Sequence, residues 1–83
     1  MKLTVKYFAS IREALGQRSE AVETAAPSIA ALRDELIARG GAYGSSLARG
    51  KAVRAALNQV MSDEAAALTD GAEVAFFPPV TGG

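Results

Sequence analysis

Two glycines, Gly82-Gly83, stand last in the sequence, after Phe76-Phe77-Pro78-Pro79-Val80-Thr81. Residue types in this order suit acyl chemistry at a free C-terminal carboxylate. Neither glycine carries a side chain that would obstruct a narrow tunnel, and glycine accepts backbone angles closed to other residues. Pro78-Pro79 favours extended polyproline geometry, at about 3.1 Å per residue. The stretch from Pro78 to Gly83 therefore spans about 19 Å, enough to enter a deep pocket. A stiff base also reduces the ordering entropy lost on docking. The expected layout is one domain over residues 1–77 and an extended, flexible C-terminal tail over 78–83.

The rest of the composition offers little competing chemistry. There is no cysteine and no histidine, which excludes disulfides, thiolate zinc sites, iron–sulfur ligation, a Cys nucleophile and His general-base catalysis. No carboxylates cluster to suggest a metal site. Nine basic residues balance nine acidic ones with no basic block, so no nucleic-acid partner is expected. The Gly- and Ser-rich stretch 40–50 lacks the spacing of a phosphate loop. No apolar run approaches the roughly 18 residues of a membrane span, and the N-terminus alternates instead of forming a signal-peptide core. The expectation is a cytoplasmic protein without a membrane partner.

The elements that must position the tail are legible from periodicity. Leu3, Val5 and Tyr7 alternate with Lys2, Thr4, Lys6 and Phe8, which predicts a half-buried strand over 2–8, with Phe8 out of place on the polar face. Ser10-Ile11-Arg12-Glu13 reads as a capping box opening a short helix that stops at Gly16. A second strand is predicted over 18–24, centred on Val22. Pro27-Ser28 introduces the clearest helix, from Ile29 to Arg39, with Ile29, Leu32 and Leu36 on one face. Arg33, Asp34 and Glu35 fall off that stripe and read as a solvated face, and Gly40-Gly41 ends the helix. Residues 40–50 are expected to hold at most a helical turn around Leu47.

Residues 52–58 alternate again, with Val53, Ala55 and Leu57 inward and Arg54 and Ala56 outward. Asn58-Gln59 turns the chain into a short strand at Val60-Met61. After the Asp70-Gly71 turn, a last strand over 73–77 puts Val74 and Phe76 on one face and Ala75 and Phe77 on the other. Pro78-Pro79 ends it, since neither can donate to a ladder. The order fits an α+β domain, one mixed sheet with a helix across one face. Phe76 belongs to the core. Phe8, Phe77 and Met61 lie on the opposite face, where aromatics and Met suit a protein interface.

The run from Asp70 to Gly83 resembles the C-terminus of the MoaD family, the small, sulfur-carrying subunits of molybdopterin synthase. Upstream, Phe8-Ala9, Arg12-Glu13 with Gly16, and the Leu57-Asn58-Gln59 turn are similar to that family too. The resemblance covers essentially the whole chain and is weakest at 40–50 and at Ser62 to Ala67. It implies the β-grasp, ubiquitin-like fold of the MoaD/ThiS carriers. It also implies that an E1-like partner uses ATP to adenylate the Gly83 carboxylate, and that sulfur from a donor then replaces AMP to give a thiocarboxylate. The carrier itself is implied to bind no cofactor and to be no enzyme alone.

The same resemblance implies insertion of the tail into the large subunit of molybdopterin synthase, in a heterotetramer, where sulfur builds the dithiolene of molybdopterin. Gly82 and Gly83 are then the reacting end, and Phe8, Met61, Phe77, Pro78, Pro79, Val80 and Thr81 the residues that meet partners. Three rival readings share much of this logic: a sulfur carrier for thiamine thiazole or another thiolated product, a ubiquitin-like protein modifier, and an interaction module whose tail has no chemical role.

Overall fold

The N-terminal alternation forms strand β1, Lys2–Tyr7, which buries Leu3, Val5 and Tyr7 on one face. The computed structural model describes residues 1–79. Helix α1 is Ala9–Leu15, strand β2 Ser19–Glu23, helix α2 Ile29–Ile37 and helix α3 Gly41–Ser46. Strands β3, Arg54–Leu57, β4, Val60–Ser62, and β5, Glu73–Phe77, follow. The five strands make one sheet in the order β2-β1-β5-β3-β4. β1 and β5, neighbours at its centre, are parallel, and the other pairings are antiparallel. This is the mixed sheet of the β-grasp arrangement.

One face of the sheet carries the core. Ile29, Leu32 and Leu36 of α2 are fully buried and share a cluster with Leu3, Val5, Tyr7, Val74 and Phe76. Burying each such side chain contributes about 1.5–3 kcal/mol. Helix α2 starts where Ser28 caps it, the hydroxyl accepting the Ala31 N–H at 3.2 Å. The Asp70-Gly71 turn works as expected from its sequence. Gly71 has φ of 82°, and the Asp70 carboxylate accepts the Lys2 N–H at 2.7 Å, tying the turn to β1.

Several expectations are corrected. The capping box at Ser10 does not form: Phe8 is the cap residue of α1, with no side-chain cap. The Phe8 carbonyl accepts from the N–H groups of Ile11 and Arg12, so the helix opens straight off the end of β1. Ala9 makes that corner at a φ of 51°. Helix α2 stops at Ile37, before Arg39, and β3 begins at Arg54, after Ala52. The 40–50 stretch holds a true helix, α3, and the Leu47 that follows is completely buried.

Arg33 departs most from its expected place. It is 3% exposed, not solvated. Its guanidinium donates to the carbonyls of Leu47 at 2.7 Å, Ala48 at 2.7 Å and Lys51 at 3.1 Å, and pairs with Glu64 at 2.8 Å. A planar donor fork satisfies several carbonyls of an irregular loop at once, as an ammonium cannot. Arg49 also pairs with Glu64 and with Asp34, so one carboxylate links two arginines.

A second polar cluster sits under the end of β1. The Glu20 carboxylate accepts from the Tyr7 hydroxyl at 2.7 Å, the Tyr43 hydroxyl at 2.6 Å, Gln17 at 3.0 Å and Arg39 at 2.8 Å. Tyr43 meets Tyr7 edge-on at 6.3 Å between ring centres, and the Arg39 guanidinium lies 4.9 Å above the Tyr43 ring. Together these contacts fix Tyr7, and with it the position from which Phe8 leaves the strand.

Candidate partner-docking groove

The face of the sheet opposite α2 carries the candidate site, and strand register builds it. Tyr7 pairs with Phe76 across the parallel β1–β5 ladder, and the Phe8 N–H donates to the Phe76 carbonyl at 3.2 Å. Side chains alternate faces along a strand, so Phe8 and Phe77 stand next to one another, away from the core. On the other side of β5, Arg54 pairs with Phe77 and Ala56 with Ala75. The two alanines, each without a side chain beyond Cβ, form a low floor between taller neighbours.

The result is a groove of about 620 Å³ lined by Phe8, Ala9, Ala56, Gln59, Glu73, Ala75, Phe77, Pro78 and Pro79. Its lining is mainly apolar, with Glu73 held at one side by Lys6 at 3.3 Å. Phe8 is 44% exposed and forms a wall of this apolar groove with Phe77, Pro78 and Pro79, a contiguous patch of the kind that marks interaction sites. Pro78 and Pro79 line the end from which β5 leaves the sheet, so the groove is continuous with the start of the C-terminal segment.

Two backbone strains sit on its rim. Ala9 has φ of 51° and Gln59 of 69°, left-handed values that cost a residue with a Cβ about 1–2 kcal/mol. Gln59 follows Asn58, at 49°, in the two-residue turn from β3 to β4, where both positions need positive φ. Gln59 thereby reaches the groove instead of following the strand.

The structure brings together Phe8, Phe77, Pro78 and Pro79 among the residues selected from sequence. Met61 pairs with Ala56 and is 57% exposed on the same sheet face, but it lies beyond the floor, in a separate recess with Val53, Arg54, Asp63 and Glu64. Val80, Thr81, Gly82 and Gly83 lie outside the described residues. Sequence reasoning left out Ala9, Ala56, Gln59, Glu73 and Ala75 as groove residues. The strand alternation did turn Ala56 and Ala75 outward, yet an alanine carries no signal that it forms a floor. Phe76 is core, 1% exposed.

Among the described residues no group of three or more Asp or Glu side chains is placed to hold a metal ion. No helix among them is long and apolar enough to cross a membrane. Burial, then the Glu20 hydrogen bond, pushes the Tyr7 phenol well above its usual range. This arrangement suits docking and presentation of a segment leaving β5.

The sequence pattern of the ThiS family matches residues 5–83. The chain belongs to the ThiS family. This ThiS-family chain is 42% identical over 81 residues to the molybdopterin synthase sulfur carrier subunit of Escherichia coli (strain K12), covering 98% of the chain and 99% of the relative. It is 37% identical, with the same coverage, to the protein of that name from Haemophilus influenzae. Among solved structures, it matches one chain of a protein–protein complex of subunits 1 and 2 of molybdopterin-converting factor from Helicobacter pylori 26695, with TM-score 0.69 and 25% identity, covering 100% of this chain and 100% of that one. SAMP1 from Haloferax volcanii shares the fold, with TM-score 0.78 and 24% identity over 100% of both chains.

Proposed function

We propose that this chain is the sulfur carrier subunit of a molybdopterin synthase, with the carboxylate of Gly83 as the group that carries sulfur. The observation that carries this reading is the full-length match to the two sulfur carrier subunits, whose length this chain spans almost completely. The apolar groove supports it, because the groove runs into Pro78-Pro79, where a docked partner would receive the tail.

The chemistry follows from the weakness of a carboxylate as an electrophile. An E1-like partner transfers AMP from ATP onto the Gly83 carboxylate, releasing pyrophosphate. The resulting acyl adenylate has a good leaving group. A sulfur donor then supplies sulfur at the sulfide level, which attacks the acyl carbon; the C–O bond to AMP breaks, AMP leaves, and a thiocarboxylate remains. The chain's own part is to dock on each partner in turn and hold the tail straight. Residues 78–83 form that tail, with Pro78-Pro79 limiting the conformations lost on insertion. In the large subunit the thiocarboxylate sulfur bonds to carbon of the pterin precursor, water then attacks the acyl carbon and breaks its bond to sulfur, and Gly83 returns as a carboxylate, ready for another round. The chain needs no bound cofactor for this, and the ATP is consumed by the activating partner.

Appending one residue after Gly83 tests the reading. The extended chain should fold and bind as before, since the groove is untouched, but it should support no sulfur transfer. Full molybdopterin synthesis by the extended chain would overturn the assignment of Gly83.

A further inference from the structure

The basic residues of this neutral chain are not evenly satisfied. Arg33, Arg39 and Arg49 are tied to Glu64, Glu20 and Asp34, and Lys6 is paired with Glu73. Arg12 and Arg18 are exposed, and neither side chain has an ion pair or hydrogen bond to protein among the described residues. They come from different elements, Arg12 from α1 and Arg18 from the turn before β2. Even so, the fold brings both into one recess with Lys6, Tyr7, Phe8 and Ser19, and no carboxylate lines it. Phe8 is also a wall of the apolar groove, so the cationic recess and the groove share one edge.

Two guanidiniums that line one recess without a carboxylate there leave it cationic. Unlike Arg49, they do nothing for the internal architecture. We infer that Arg12 and Arg18 form the electrostatic half of the docking face, matched to a partner whose apolar contact for Phe8 is bordered by carboxylates. The inference rests on the carrier reading above and adds the charge of the partner surface. Exposed charges at an interface edge act mainly on encounter rate and choice of partner, and salt screens them. On the far side of the groove, Arg54 shares its recess with Asp63 and Glu64, so its field is partly cancelled. The attraction at this edge therefore orients the incoming surface about Phe8.

The test is stopped-flow association with the purified synthase large subunit over a series of salt concentrations. The double variant R12E/R18E should associate at least about tenfold more slowly at low salt. Its dissociation rate should change little, and the difference should vanish at high salt. R12K/R18K keeps both charges and should associate nearly as fast as the unmodified chain. Equal association rates and salt slopes for R12E/R18E and the unmodified chain would overturn the inference while leaving the carrier reading intact. A deficit that persists at high salt, or that R12K/R18K shares, would equally overturn it, since packing would then be the cause. No binding by the unmodified chain would remove the carrier reading and this inference with it. Thermal unfolding of R12E/R18E should match that of the unmodified chain, since both side chains are exposed. If that variant does not fold, R12Q/R18Q gives the same test with a smaller rate change.

Discussion

Asn58 and Glu73 hold one another by two hydrogen bonds, the Asn58 N–H donating to the Glu73 carbonyl at 2.8 Å and the Asn58 Oδ1 accepting the Glu73 N–H at 3.0 Å. The pair anchors the first residue of β5 to the turn after β3. Asn also tolerates the turn's φ of 49° better than most residues. Asn58→Ala loses both the side-chain bond and that tolerance, and should cost about 1–2 kcal/mol in urea unfolding. Asn58→Gly loses only the bond and should cost less. An alanine variant as stable as the glycine one would show that backbone strain is not what selects Asn here.

Arg33→Ala should be among the most damaging single changes. It strips three loop carbonyls of their donor and leaves Glu64 with Arg49 as its remaining partner. Each of those carbonyls that stays buried without a donor costs about 1–3 kcal/mol. Arg33→Lys should recover only part of that, since one ammonium cannot serve the same fork of acceptors. Denaturant midpoints of the two variants measure both, and a fully stable Lys variant would contradict the account.

Phe8 and Phe77 should separate from Phe76 in their effects. Phe8→Ala or Phe77→Ala should weaken binding to the large subunit and to the activating enzyme, by about 2 kcal/mol or more for a central aromatic anchor. Phe76→Ala, in the core, should instead lower stability by about 3–5 kcal/mol. Calorimetric titration and chemical unfolding of the three variants distinguish the cases. Normal binding by both groove variants would remove these aromatics as anchors.

Acid should loosen the fold through Glu20. Burial alone would raise its pKa, but hydrogen bonds from Arg39, Tyr43 and Tyr7 outweigh that and hold it below the ordinary carboxylate value. The stabilisation is fully present above the unfolded-state pKa, about 4.3. It is lost as pH falls through the lower folded-state value, because the unfolded chain then binds the proton first. Glu20→Gln should lower stability at neutral pH and flatten the acid limb of the stability profile. An unchanged acid limb in that variant would assign the acid sensitivity to other carboxylates.

The parts of the molecule legible in its sequence are those set by local pattern. The alternation of Leu3, Val5 and Tyr7, the Ser28 cap, the stripe of Ile29, Leu32 and Leu36, and the Asp70-Gly71 turn each act within a few residues. Helix α3 was not legible because Gly41-Ala42-Tyr43-Gly44-Ser45-Ser46 has weak helix propensity. Distant contacts hold it: Tyr43 on Glu20 and Tyr7, and Leu47 in the core. Arg33 looked solvated because its acceptors are main-chain carbonyls of residues 47–51, which no side-chain pattern announces. For the groove, Phe8 and Phe77 were visible as aromatics on a polar face. The floor of Ala56 and Ala75, and the reach of Gln59, depend on register between strands.

The carrier assignment is tested most directly by the intact mass of the chain taken from its native host while molybdopterin is being made. The account predicts a fraction heavier than the plain chain by the difference between one sulfur and one oxygen, with the change mapping to Gly83. Fragmentation should place it at no other residue, and added pterin precursor with the large subunit should return that fraction to the plain mass. A population that stays entirely plain under those conditions, or a sulfur-bearing form that the large subunit leaves unchanged, would contradict the account.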